Sequence, residues 1–389
     1  MGTTNRGREA AGMAAATAYK QGNPFTPMFG KVPAYMAGRE RIVDDMIAAF
    51  EGNGADPNLC SIFTGARGTG KTALLTYLGY RAEQAGWVVA SVTAAQGMLD
   101  DILQRLKDAA GHLLPAEPGR KLHSDEIAPL GSISWEHVPE PVGNWRTQMN
   151  SLLDGLATVG AGVVITVDEL DPTFDEITQL VTVYQHFVRE NRKVALLMAG
   201  LPYRVNTLLS GKSTSFLRRA ARHDLGSIPP YEMKEAFRLT VEDGGKTIED
   251  EALDEAVRAI GGFPFMFQLV GYRAWNASRQ DAAITAEHVR QGAEIAQEEL
   301  EARVFDATYA ELSEGDKAFL AAMNADGAFT LRADLTERLG KGSSYVSTYK
   351  KRLLEAGVIE EPETGVFKFA LPGFGDYLMR RRKMFEDGR

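Results

Sequence analysis

The stretch LCSIFTGARGTGKTALLTYL, Leu59 to Leu78, decides the fold. Its first part, Leu59–Thr64, is an apolar run of strand length, while Ala73, Leu74, Leu75 and Leu78 recur with helical spacing. Between them lies GARGTGKT, Gly65–Thr72, whose glycines let the backbone wrap so that its N–H groups point inward at a phosphate chain. The helix that opens near Lys71 adds its positive end. Lys71 supplies a point charge for β- and γ-phosphates, and the Thr72 hydroxyl is placed to ligate Mg2+. Gly65, Ala66, Arg67, Gly68, Thr69, Gly70, Lys71, Thr72 and Ala73 are together the candidate phosphate-binding residues.

Downstream, VVITVDELD (Val163–Asp171) is a buried-strand run that ends in acids. A carboxylate at such a strand end can hold the Mg2+ shell, which suits Asp168; Glu169, one residue on, can polarise an attacking water as a general base. Further strands are expected near Trp87–Thr93, Val194–Leu201 and Leu225–Ile228. Helices fall between them, at Lys71–Gln84, Gly97–Leu114, Asn144–Thr158, Phe174–Glu190 and Pro202–Ser210. Strands alternating with helices imply an α/β fold with a parallel sheet covered on both faces.

The chain has 389 residues, enough for two or three domains with a substantial core. Residues 1–22 read as a loose tail, 23–229 as the nucleotide-binding core, 230–307 as a helical lid and 308–389 as a separate C-terminal module. A proline-bearing insertion, 115–141, with a hairpin pattern at Ile127–Val138, interrupts the core. At 44% hydrophobic and 24% charged residues the composition is that of a globular protein, not a disordered or collagen-like one. The lone Cys60 cannot form an internal bridge and points to a reducing cytoplasm; no apolar run is long enough for a membrane span. A net charge of −9 disfavours a chain coated with nucleic acid, yet leaves room for one basic module. The six histidines show no metal-ligand spacing.

The loop and the Asp168–Glu169 pair resemble those of P-loop ATPases with a catalytic glutamate beside the Mg2+ aspartate, in particular the AAA+ and STAND ATPases, archaeal and origin-recognition types included. The resemblance implies ATP or ADP as ligand, Mg2+ as cofactor and ATP hydrolysis as activity. It also implies that AGRE (Ala37–Glu40) touches base and ribose through Arg39 and Glu40, although these residues equally suit a solvated helix start. In such families an arginine finger precedes the fifth strand. Arg218, Arg219 and Arg222 stand near that place, and a solvated basic face explains them as well. The fourth strand, ending LLMAGLP (Leu196–Pro202), lacks the polar residue that usually senses the γ-phosphate. The lid carries GGFP, Gly261–Pro264, where a sensing arginine is expected, so Pro264 takes that spot and hydrolysis is expected to be slow and switch-like.

From Leu312 the order is helix, helix, helix, short hairpin, helix, the pattern of a winged helix-turn-helix with its wing around Glu363–Gly365. The third helix would read a DNA groove through Ser347, Lys350 and Lys351, with Lys341 at its start and Arg380 in the tail on phosphates. Acids and bases are nearly balanced from Thr308 onward, which equally suits a protein-docking module. Two readings stand: a nucleotide-controlled protein that binds double-stranded DNA or self-associates, or a STAND-type switch that recruits a protein partner.

Overall fold

In the computed structural model the residues described are 22–28, 30–52, 54–111, 113 and 144–387. The expected 115–141 insertion and most of the 1–22 tail lie outside them. Helix α1 (Glu40–Glu51) leads into strand β1 (Cys60–Thr64), then α2 (Lys71–Gln84), β2 (Trp87–Thr93), α3 (Met98–Ala110) and α4 (Trp145–Thr158). Strand β3 (Gly162–Asp168), α5 (Asp175–Arg189), β4 (Val194–Gly200), α6 (Pro202–Ser210) and β5 (Ala221–Asp224) complete the core. The five strands are parallel in the order β2-β3-β4-β1-β5. Register places Thr64 beside Gly200 and Asp224, and Thr93 beside Asp168, so the loops that follow these strands share one edge of the sheet.

Alternation along the central strand shows why the sheet is two-sided. Val194, Leu196 and Met198 of β4 join the apolar layer with α3, α4 and α5, while Ala195, Leu197 and Ala199 join the layer with α1 and α2. Every residue of β4 is buried, as expected where helices cover both faces.

The fifth strand differs from expectation. It is Ala221–Asp224, not Leu225–Ile228, so Arg222 lies within the strand rather than before it. As a half-covered edge, β5 tolerates the polar sequence ARHD, which carries no strand-like apolar signal. Leu225 and Ile228 are apolar for another reason: Leu225 packs under the phosphate loop and Ile228 belongs to the lid core. The Leu225 N–H still reaches the Thr64 carbonyl, at 2.6 Å, before the chain turns away.

The lid consists of α7 (Pro230–Asp243), β6 (Thr247–Ile248), α8 (Asp250–Ile260), α9 (Pro264–Ala277), β7 (Ala283–Ile284) and α10 (Ala286–Leu300). A π-helical turn, Glu301–Phe305, carries α10 without a break into α11 (Asp306–Ala310). The winged unit follows: α12 (Glu314–Met323), β8 (Thr330–Leu331), α13 (Arg332–Leu339), α14 (Ser343–Glu355), β9 (Ile359–Glu363), β10 (Val366–Phe369) and α15 (Phe374–Asp387). Strands β8, β10 and β9 form an antiparallel sheet, and β9 and β10 turn at the expected wing. Lid and winged unit share one apolar cluster, in which Phe305 lies 5.3 Å from Phe374 and 5.4 Å from Tyr377, ring to ring. Among the described residues no helix is long and apolar enough to cross a membrane.

Candidate nucleotide site

The loop after β1 owes its shape to two crowded glycines. A side chain at Gly65 would strike the Thr69 hydroxyl at 2.6 Å, and one at Gly68, where φ is +79°, would meet the Phe263 ring at 2.5 Å. Gly70, in the left-handed region, then turns the chain into α2. Lys71 is 6% exposed, and its ammonium donates to the Gly65 and Ala66 carbonyls at 2.9 and 2.7 Å. Burial pulls that ammonium below the usual lysine range, against the opposing charges of Glu169 and Asp168. A buried cation resting on main-chain oxygens is suited to a polyanion, which would supply the charge that two carbonyls lack.

Beside it, the Thr72 hydroxyl donates to Asp168 Oδ2 at 2.5 Å. One hydroxyl and one carboxylate in contact at a helix start are a donor set for a hard cation that keeps waters and phosphates as its other ligands, so these residues fit Mg2+. Glu169 follows with φ +51°, a strained conformation for a residue with a side chain. The strain is held on both sides: the Glu169 N–H binds Asp168 Oδ1 at 2.8 Å and the Leu170 N–H binds the Ala199 carbonyl at 2.8 Å. The turn leaves the Glu169 carboxylate exposed beside the loop, while Leu170 is buried and Asp171 pairs with Arg204 at 2.9 Å.

Lys71, Thr72 and Glu169 border one cavity of about 450 Å3, with Asp168 behind Thr72 and not on its lining. Arg67, Gly68, Thr69, Gly70, Lys71, Thr72 and Ala73 form its floor, with Glu169 and Arg39 at the sides and Pro264 of α9 above. Gly65 and Ala66 lie beneath the floor and contribute the carbonyls that hold Lys71. Arg39 is 7% exposed and donates to the Gly226 and Gly38 carbonyls at 2.7 and 3.0 Å, whereas the exposed Glu40 does not line the cavity. Neither Arg218 nor Arg219 lines it; both are exposed, and Arg218 Nε donates to the Leu209 carbonyl at 3.0 Å.

Much of the wall was missed by sequence reasoning. The segment 22–37 runs from the lid to α1 and supplies Thr26, Lys31, Tyr35 and Met36, facing Phe265 and Gln268 of α9. It is fastened to the lid where the Phe25 ring lies 4.9 Å from that of Phe237 at a 40° tilt, the Thr26 N–H binds Gln268 Oε1 at 2.7 Å and the Asn23 amide binds the Tyr272 carbonyl at 2.9 Å. The signal was its density of proline and aromatic residues, unusual for a free linker.

In the winged unit the expected nucleic-acid residues are spread over the turn before α14, which holds Lys341, α14 itself and α15. Lys341 and Lys351 are exposed, and Ser347 Oγ accepts from Arg332 at 3.0 Å. Lys350 pairs with Glu361 of β9 at 2.8 Å and Arg380 with Glu301 at 2.6 Å. Burial alone would raise the Glu361 carboxyl, but Lys350 and the Gly365 N–H hold it below the usual range.

Sheet order, phosphate loop, helical lid and winged unit together define the class: the chain has the P-loop AAA+ fold. It is similar to the ORC2 protein of Aeropyrum pernix, described in its ADPNP–ADP complexes, at 14% identity and a TM-score of 0.60, over 92% of this chain and 98% of that one. It is similar also to a Walker-type ATPase of Pyrococcus abyssi, at 13% identity and a TM-score of 0.57, over 88% of this chain and 95% of that one. Residues 302–378 match a family model described as "Domain of unknown function (DUF8462)". No curated protein matches the chain in sequence.

Proposed function

We propose that the chain binds ATP with Mg2+ and hydrolyses it slowly, its nucleotide state controlling how the C-terminal winged helix engages double-stranded DNA. The carrying observation is the single cavity that joins Lys71, Thr72, Glu169, Arg39 and Pro264. The similar ORC2 protein of Aeropyrum pernix, described with ADPNP and ADP, supports a nucleotide as the occupant. Loop N–H groups and Lys71 would take the phosphates, with Lys71 giving up its two carbonyls to do so. Mg2+, when bound, would offset charge on the phosphates, and Thr72 and Asp168 are the side chains to hold it. Glu169 would accept the proton of the attacking water as its oxygen bonds to the γ-phosphorus and the bond to ADP breaks. Slow turnover is the expectation because Gly200, which ends β4, and Leu201, just past it, offer no side-chain donor to the γ-phosphate. A steady-state rate of tens per second would overturn that part.

Arg218 and Arg219 stand away from the cavity, so in a finger role they would serve a neighbouring copy of the chain. The alternative of a switch that recruits a protein partner draws support from Lys350 and Arg380 being engaged by acids of the same chain. Light scattering on a sizing column, run beside a DNA gel shift with no nucleotide, ADP or a non-hydrolysable ATP analogue, separates the two. Analogue-dependent assembly that retains DNA supports the DNA reading. A nucleotide-bound monomer that ignores DNA supports the protein-docking one.

A further inference from the structure

Arg67 is exposed on the crown of the phosphate loop and lines two cavities. One is the nucleotide cavity; the other, of about 110 Å3, lies between the loop and the C-terminal unit. In that second cavity the facing wall includes Glu311, Asp316 and Arg352. Asp316 is 2% exposed and divides its two oxygens unequally. Its Oδ2 accepts from the Ser313 N–H at 3.0 Å, the Ser313 hydroxyl at 2.6 Å and Arg352 at 2.8 Å. Its Oδ1 is buried and has no hydrogen-bond partner. A carboxylate oxygen sealed from water without a donor is costly, and among the described residues the cations lining this cavity are Arg352 and Arg67.

The same joint brings other groups of the C-terminal unit against the nucleotide edge of the sheet. Gly357 sits so close to Leu201, just past β4, that a side chain there would meet Leu201 Cδ1 at 2.9 Å. Glu360 is near enough for its charge to be felt at Lys71. The unit thus turns three carboxylates toward the loop, Glu311, Asp316 held by Arg352 at 2.8 Å and Glu360 held by Lys368 at 2.8 Å.

We propose that Arg67 is a positioning residue that trades between two anions and so couples nucleotide loading to the docking of the C-terminal unit. Without nucleotide it neutralises the Asp316 side of the joint. With a triphosphate on the loop it turns to the phosphates, the Asp316 side of the joint keeps Arg352 but loses its second cation, and the unit loosens from the core. This inference rests on reading the larger cavity as a nucleotide site.

Hydrogen exchange on the full chain tests it, with and without Mg2+ and a non-hydrolysable ATP analogue, while occupancy is read separately with a fluorescent ATP analogue. Amides of residues 311–317 and 353–360 should exchange at least about threefold faster when the analogue is bound, as expected for a lowered local opening energy. In Arg67→Ala those amides should already be fast without analogue and stay fast when it saturates, and Arg67→Lys should restore part of the response. Glu360→Gln, which lies outside the loop and gives up its pairing with Lys368, should shrink the response from the other side of the joint, while Lys368→Met, which breaks the same pair but keeps the carboxylate, should not. Bound analogue with unchanged or slower exchange in the wild-type chain would overturn the coupling while leaving the nucleotide reading intact. So would a full response in Arg67→Ala. No measurable occupancy in the wild-type chain would overturn both.

Discussion

At the phosphate loop Lys71 is buried on two main-chain oxygens, while on α14 Lys350 closes on Glu361 and Arg332 spans Ser343 and Ser347. Both regions are rich in charge, but Lys71 is left under-satisfied where Lys350 and Arg332 have side-chain partners. A lysine on carbonyls and a strained, exposed glutamate gain from a ligand, whereas paired lysines and arginines must first give up a partner to bind one. Spare bonding capacity, more than charge count, distinguishes a preformed site from a face that must be rearranged.

The sharpest way to break that contrast is at Glu169. Glu169→Gln keeps shape and hydrogen bonding but cannot take a proton, so turnover should fall by about 10²–10⁴-fold with nucleotide affinity nearly unchanged. Normal hydrolysis in that variant, followed by phosphate release, would place the base elsewhere. Lys71→Ala comes next. Removing one side of a buried charge contact costs about 2–5 kcal/mol, so calorimetric affinity for ATP should drop by roughly a hundredfold or more.

The C-terminal side gives smaller effects with a distinctive sign. Lys351 is 65% exposed and only loosely paired with Glu355 at 3.8 Å, so it is free to meet phosphate. Lys351→Ala should weaken duplex binding severalfold and lower the salt slope by about one unit. Glu361→Gln should do the reverse, releasing Lys350 and tightening binding in the same gel shift. If neither variant changes DNA affinity, the groove assignment of α14 fails. The smallest effect is in acid. Glu361 is held below the ordinary glutamate value, so its contribution is whole above that value and drains as pH falls through the lower folded one. Thermal unfolding should show the winged unit losing stability as pH falls below the ordinary glutamate value, and Glu361→Gln should flatten that loss.

The sequence already displayed the loop, the acid pair and the order of the C-terminal helices, because each rests on local spacing. Gly65–Thr72 needs only its neighbours to be read, and α14 shows its apolar side in Val346, Leu353 and Leu354. What stayed hidden depends on distant partners. Ala221–Asp224 is a strand because β1 pairs with it, not because its residues favour one. Arg39 reads as a solvated helix start until the Gly226 carbonyl, far along the chain, is seen to hold it. The pairing of Lys350 with Glu361 was equally silent, since charge balance along a chain does not say which acid meets which base.

The unbroken run from α10 through the π turn into α11 bears on how this protein can be divided. The matched family region begins at residue 302, inside that run, and so carries Phe305 with the winged unit whose rings it touches. A fragment begun at the apparent border near residue 308 would leave a hole where Phe305 stood, a loss on the scale of about 3–5 kcal/mol for a buried ring. The matched region therefore takes about the last third of the run Ala286–Ala310 with it, so a cut at either border severs a continuous helical rod.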